Sequence, residues 1–144
     1  MGYAYGHFDN WRQHVDVAYL NSPGARHMAV LAAFMTAQKW SRLFPDLDMI
    51  VPGGAGSGAQ RVVALSSVDH DEACVYFPGT QQGAALLLDR ISARPRVIAT
   101  WFDPRDGSSR PGGRYSSSEV TTFTPPSDWE DAVLLLQSDN EGGE

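Results

Sequence analysis

From residue 61 onward, apolar and polar positions alternate in short runs. Residues 61–67, 72–77, 84–88, 96–102, 120–123 and 132–137 are rich in β-branched, leucine or aromatic side chains. Turn-forming residues separate them: Asp69 to Glu72, Pro78 with Gly79, Ala93 to Pro95, Asp106 with Gly107, Pro111 to Gly113, and Pro125 with Pro126. A period of two with turns at this spacing predicts a mainly β chain, an antiparallel β-sandwich of six to seven strands.

Upstream the period changes. Tyr3 to Tyr5 reads as the end of a short strand. Ser22 suits an N-cap and Pro23 the first helical position, where its missing N–H costs nothing. Residues 25–39 then supply good helix formers. Met28, Leu31 and Met35 recur at i, i+3 and i+7, and Val30 and Phe34 widen the stripe. The pattern predicts an N-terminal helix, stopped before Pro45, that needs burial on more than one side. Met28, Leu31, Phe34 and Met35 are its interface candidates. The glycine-rich run 52–58 reads as a flexible connector. The organisation expected is therefore a strand and helix over 1–50, a linker over 51–60, the sandwich over 61–137 and a disordered tail over 138–144.

Charge adds one constraint. The net charge is −6, and residues 61–144 carry all of it, with seven basic against thirteen acidic side chains. No basic stripe exists to follow a phosphate backbone, which argues against nucleic acid as a partner. Cys74 is the only cysteine, so neither an intrachain disulfide nor a cysteine metal site is expected. No signal-peptide pattern opens the chain, and the apolar runs are too short to span a bilayer, so no membrane partner is expected.

Candidate chemistry is sparse. Residues 54–59 match G-x-G-x-x-A, but a strand is expected after them where a dinucleotide site needs a helix. Asp69 to Glu72 offers oxygen ligands without the spacing of a calcium loop, and reads as an acidic turn. The histidines show no metal-ligand spacing, so no metal or cofactor is expected. Cys74 lies between apolar neighbours and reads as a buried thiol. Trp101, Phe102, Tyr76 and Trp129 could form a sugar-stacking platform, although aromatics in alternating strands are more often core. Tyr3, Tyr5, His7 and Trp11 are different. Four polar-tipped rings cluster beside glycines, and they are the ligand-binding candidates.

Six short runs, in order, carry a family resemblance: GYAYGH over 2–7 with Trp11, LNSPGARHM over 20–28, Trp40 with LFPD over 43–46, VYFP over 75–78, WFDPRDG over 101–107 and FTPPSDW over 123–129. Together they resemble the C-terminal end of apiosidase-like glycoside hydrolases of bacteria. In that family a DUF4038-type (β/α)8 barrel is followed by a β-sandwich labelled "putative collagen-binding domain of a collagenase". The resemblance implies that residues 1–50 correspond to the last barrel strand and helix. It also implies secreted relatives. The two carboxylates that such a barrel uses for hydrolysis sit on earlier strands. Residues 1–50 offer only Asp9, Asp16, Asp46 and Asp48, in no evident pair. The chain is thus not expected to be active alone. The reading that follows is a non-catalytic accessory or interaction module binding carbohydrate, an extracellular polymer or a protein partner. Two alternatives stand beside it: a hydrolase subunit whose barrel comes from a barrel-bearing partner chain, and a self-assembling homo-oligomer driven by the helix.

Overall fold

Ser22 caps the first helix as its position predicts. In the computed structural model, which describes residues 21–38, 40–79 and 82–139, its hydroxyl accepts a hydrogen bond from the Ala25 N–H at 3.4 Å. Helix α1 spans Pro23–Ala37 and ends two residues earlier than the run of helix formers predicts. Gln38 is already extended, and a 3-10 turn at Trp40–Arg42 carries the chain into strand β1, Leu43–Pro45. Pairing with a strand thus takes over before Pro45 could act as the stop.

Seven further strands follow: β2 (Val63–Ser67), β3 (Glu72–Phe77), β4 (Ala84–Leu87), β5 (Arg96–Phe102), β6 (Ser109–Ser116), β7 (Val120–Phe123) and β8 (Ala132–Ser138). They form a six-stranded sheet, β1-β2-β3-β8-β5-β6, and a two-stranded sheet, β4-β7. Every pairing is antiparallel. The mainly β expectation holds, with the helix near the N-terminus.

The alternation decides which side chains meet. One face of the large sheet presents Val75, Phe77, Val97, Ala99, Trp101, Leu134 and Leu136, all buried. The small sheet adds Leu86 and Phe123 to the same core. Trp101 joins the two layers, with its ring centroid 5.4 Å from Phe77 and 6.5 Å from Phe123 in edge-on arrangements.

Three regions differ from the sequence reading. The sequence pattern groups residues 43–50 with the N-terminal segment, yet β1 pairs with β2, and Met49 and Ile50 are core residues. The glycine run after them holds Ala55 against the core, and the Ala55 carbonyl accepts from the Val62 N–H at 2.7 Å. Pro111 to Gly113 has the composition of a turn but lies inside β6. β6 is an edge strand, where a proline costs no ladder bond, and its pairing shifts register between Ala99 and Thr100. A Cβ at Gly112 would sit 3.1 Å from the Ala99 backbone, a tight contact, so glycine favours the close approach of the strands there. Finally, the sequence places Ser138 and Asp139 in the tail, but both are buried, and the Asp139 N–H donates to the Arg96 carbonyl at 2.9 Å.

Candidate functional surfaces

The second face of the large sheet is also apolar. Leu65, Cys74, Tyr76, Val133 and Phe102 line one groove on it together with Leu31, Phe34 and Pro104. Helix α1 lies across this face. The rings of Phe34 and Phe102 stand 4.5 Å apart and tilted, at the centre of the contact. On either side the helix leaves a groove, one of about 440 Å³ reaching Thr100, Gly107 and Leu135, the other of about 230 Å³. No residue of α1 is fully buried.

The interface candidates fall on this helix. Phe34 and Leu31 line the grooves, although Leu31 is 40% exposed, and Met28 and Met35 are half-buried. Tyr3, Tyr5, His7 and Trp11 lie outside the described residues. The exposed large apolar residues include Leu31, Trp40, Phe44 and Leu47, which run along the chain from α1 through β1.

The four aromatics proposed as a platform do not share a surface. Trp101 and Trp129 are buried in the inner core, whereas Phe102 and Tyr76 belong to the helix-covered face. Tyr76 donates its hydroxyl to Asp131 at 2.9 Å, and burial, first, and then that carboxylate push its pKa up to about 12. The Cys74 thiol is likewise pushed up to about 12, chiefly by burial and then by the charge of Glu72, so it stays protonated at neutral pH.

Residues 101–107 build a corner between β5 and β6. Asp103 is 2% exposed and takes two bonds from the Arg105 guanidinium, at 3.0 and 2.7 Å, and one from the Arg105 N–H at 2.9 Å. These bonds, offset in part by desolvation, hold its carboxyl below the usual range. The Gly107 N–H returns to the Asp103 carbonyl, and Gly107 has φ +80°. Next to the corner, Arg110 grips Asp128 with two bonds, at 2.8 and 2.7 Å, and lies over the Trp129 ring at 4.9 Å. The run Asp103 to Gly107 reads as a turn in the sequence, and the Arg105 N–H to Asp103 side-chain bond makes it an Asx turn that its own arginine also grips.

A polar cleft of about 750 Å³ opens at the opposite end of the sheet, where β3 begins and β8 ends. Arg42, Arg94 and Arg114 line it with Asp69, Asp71, Glu72 and Asp139. Arg42 pairs with Asp69, and Arg114 approaches Asp139 at 3.7 Å. The acidic run over 69–72 is the β2–β3 turn, as expected, with His70 in the left-handed region at φ 55°. The Ser67 hydroxyl organises that turn. It donates to Asp71 at 2.6 Å and accepts from the N–H groups of Asp71 and Glu72, each at 3.1 Å. Sequence reasoning missed this cleft, because its wall residues are separated by up to about a hundred positions along the chain.

Among the described residues, no helix is long and apolar enough to cross a membrane, and no cluster of histidine, cysteine or carboxylate side chains has metal-holding geometry.

Comparison with known proteins adds three findings. A family model described as "Putative collagen-binding domain of a collagenase" matches residues 44–137. A crystal structure of a glycoside hydrolase family 5 protein from Bacteroides vulgatus superposes with a TM-score of 0.74 at 26% identity, over 83% of this chain and 25% of that one. A second solved glycoside hydrolase gives a TM-score of 0.75 at 24% identity, over 86% of this chain and 27% of its own. The chain thus spans about a quarter of the length of these structures. A comparison with curated proteins returns no match.

Proposed function

Since the chain belongs to the family described as "Putative collagen-binding domain of a collagenase", we propose that it is a non-catalytic accessory module that works beside a glycoside hydrolase domain. One observation carries this reading. The likeness to the hydrolases covers 83–86% of the chain, which is more than residues 44–137 can account for. Sandwich and preceding segment therefore recur together inside a longer enzyme.

The surface chemistry supports the same reading. Leu31 in α1, Trp40 in the turn that follows, Phe44 in β1 and Leu47 just beyond it are each about 40% exposed. Exposed large apolar side chains gain from being covered. In this reading a catalytic barrel covers them, and the module holds that barrel near its substrate. The label "collagen-binding" describes the family; the target proposed here is the catalytic domain.

The test has two parts. The purified chain is incubated with a panel of aryl glycosides, and no turnover above buffer is expected. The chain is then mixed with a separately produced family 5 hydrolase domain, and a one-to-one complex is expected in light scattering. Turnover by the pure chain would overturn the non-catalytic reading. Absence of any complex would overturn the seating on a barrel.

A further inference from the structure

We propose that the linkage between Asp106 and Gly107 is a modification site: it converts spontaneously to isoaspartate when the corner after β5 opens, and the hydrogen bonds of the closed corner hold it silent. This is the one Asp-Gly pair in the sequence, and no Asn-Gly pair occurs. Both residues are exposed. The reaction is an intramolecular acyl transfer whose only co-reactant is water. The Gly107 backbone nitrogen attacks the side-chain carboxyl carbon of Asp106, and a C–N bond forms. The proton of that nitrogen and the carboxyl OH leave together as water, which closes a five-membered imide. Hydrolysis then breaks the bond from the nitrogen to the main-chain carbonyl. An α-carboxylate is freed, and the chain now runs through the former side chain, one methylene longer. Glycine favours the attack because no Cβ crowds its nitrogen.

In the folded corner both reacting groups are engaged. The Gly107 N–H donates to the Asp103 carbonyl at 2.9 Å, and Asp106 Oδ1 accepts from the Ser108 N–H at 2.8 Å. The Ser108 backbone bond, first, and then its hydroxyl hold the Asp106 carboxyl below the usual range. The carboxyl is thereby kept ionised, the form whose oxygen leaves poorly. The corner is also closed at its ends. The Asp103 N–H donates to the Ser108 carbonyl at 2.9 Å, and Arg105 grips the buried Asp103 carboxylate. To reach the nitrogen, the Asp106 side chain must leave Ser108, and the Gly107 N–H must leave Asp103. The reaction therefore waits on local opening of the corner. Its product would alter the seat of α1. A Cβ at Gly107 would lie 3.5 Å from Val30 Cγ1, and Asp106 and Gly107 line the larger groove beside the helix.

The site does not depend on the accessory reading, which rests on the likeness to hydrolases and on the α1–β1 surface. In the test the full chain is aged at neutral pH, in buffer and in guanidinium chloride, and isoaspartate at position 106 is counted by mass spectrometry after digestion. The unfolded chain is expected to accumulate it. The native chain should do so at least about tenfold more slowly, the ratio for a corner open a tenth of the time or less. Ser108→Ala and Arg105→Met should each speed the native reaction about fivefold or more, the loss of a hydrogen bond from the closed corner. Ser108 is exposed, so its variant should keep the parent's dichroism and melting midpoint. Asp106→Glu should abolish the product, because a six-membered imide closes far more slowly. The proposal is overturned if the unfolded chain gives no isoaspartate at this position, if the native chain reacts as fast as the unfolded one, if the product survives in Asp106→Glu, or if neither corner variant is faster than the parent.

Discussion

Asp103 shows how much a single carboxylate can hold. It is nearly inaccessible, and its partner Arg105 lies only two residues away, so the corner after β5 is closed by its own sequence. Replacing Asp103 with Asn keeps the shape but removes the charge from the bonds to Arg105. That should cost about 2 kcal/mol, read as a lower urea midpoint at neutral pH. The pH dependence has a definite sign. A carboxyl whose folded pKa lies below its unfolded value stabilises the fold above the ordinary carboxylate pKa of about 3.9 and loses that contribution as pH falls through the folded pKa. The gap between parent and Asp103→Asn should therefore be constant from pH 5 to neutrality and narrow below about pH 4. A gap that widens in acid would contradict this account. At the same scale, Cys74 was legible in the sequence as a buried thiol, because its strand neighbours are apolar. The hydroxyl of Ser138 was not, since its lack of a partner depends on which segments surround it.

Strand β6 and helix α1 mark the limits of pattern reading for elements. Proline and two glycines in succession are the composition of a turn, and by local propensity Pro111 to Gly113 should have been one. Tertiary context reversed that preference. An edge position forgives the proline, and the close approach to Ala99 favours the glycine. Gly112→Val should consequently cost about 1–3 kcal/mol through displacement of β6, measurable by thermal melting. Retention of the parent midpoint would mean that the strands can separate freely at this point. Helix α1 was readable from its cap and its stripe, to within two residues at its end. Its partner was not readable. A partner chain and a second copy were both open as covers for its apolar face, and Phe34 against Phe102 shows that part of it lies on the sheet. The grooves on either side show that this contact is incomplete.

For the whole molecule, the two sheets and the loops between them form one core, with Trp101 at the junction. Trp101→Ala should remove about 3–5 kcal/mol, a large share of the roughly 5–15 kcal/mol that holds a domain of this size. Both layers should then melt together, so far-ultraviolet dichroism and the fluorescence of the remaining tryptophans should shift to the same lower midpoint. Separate transitions would show that the sheets are independent. The alternation along 61–138, the cap at Ser22 and the turn residues by themselves determined the fold class, the helix and most of the strands, because those depend on spacing between near neighbours. The same runs also carried the resemblance to a hydrolase-associated sandwich. Only the tertiary structure decided that residues 43–50 belong to the sandwich, that the four aromatics divide between two faces, and that distant charges converge on one cleft. The reason is physical. Local pattern dictates which face of an element is apolar, but which face covers it, and which loops meet at its end, is settled by how the elements pack.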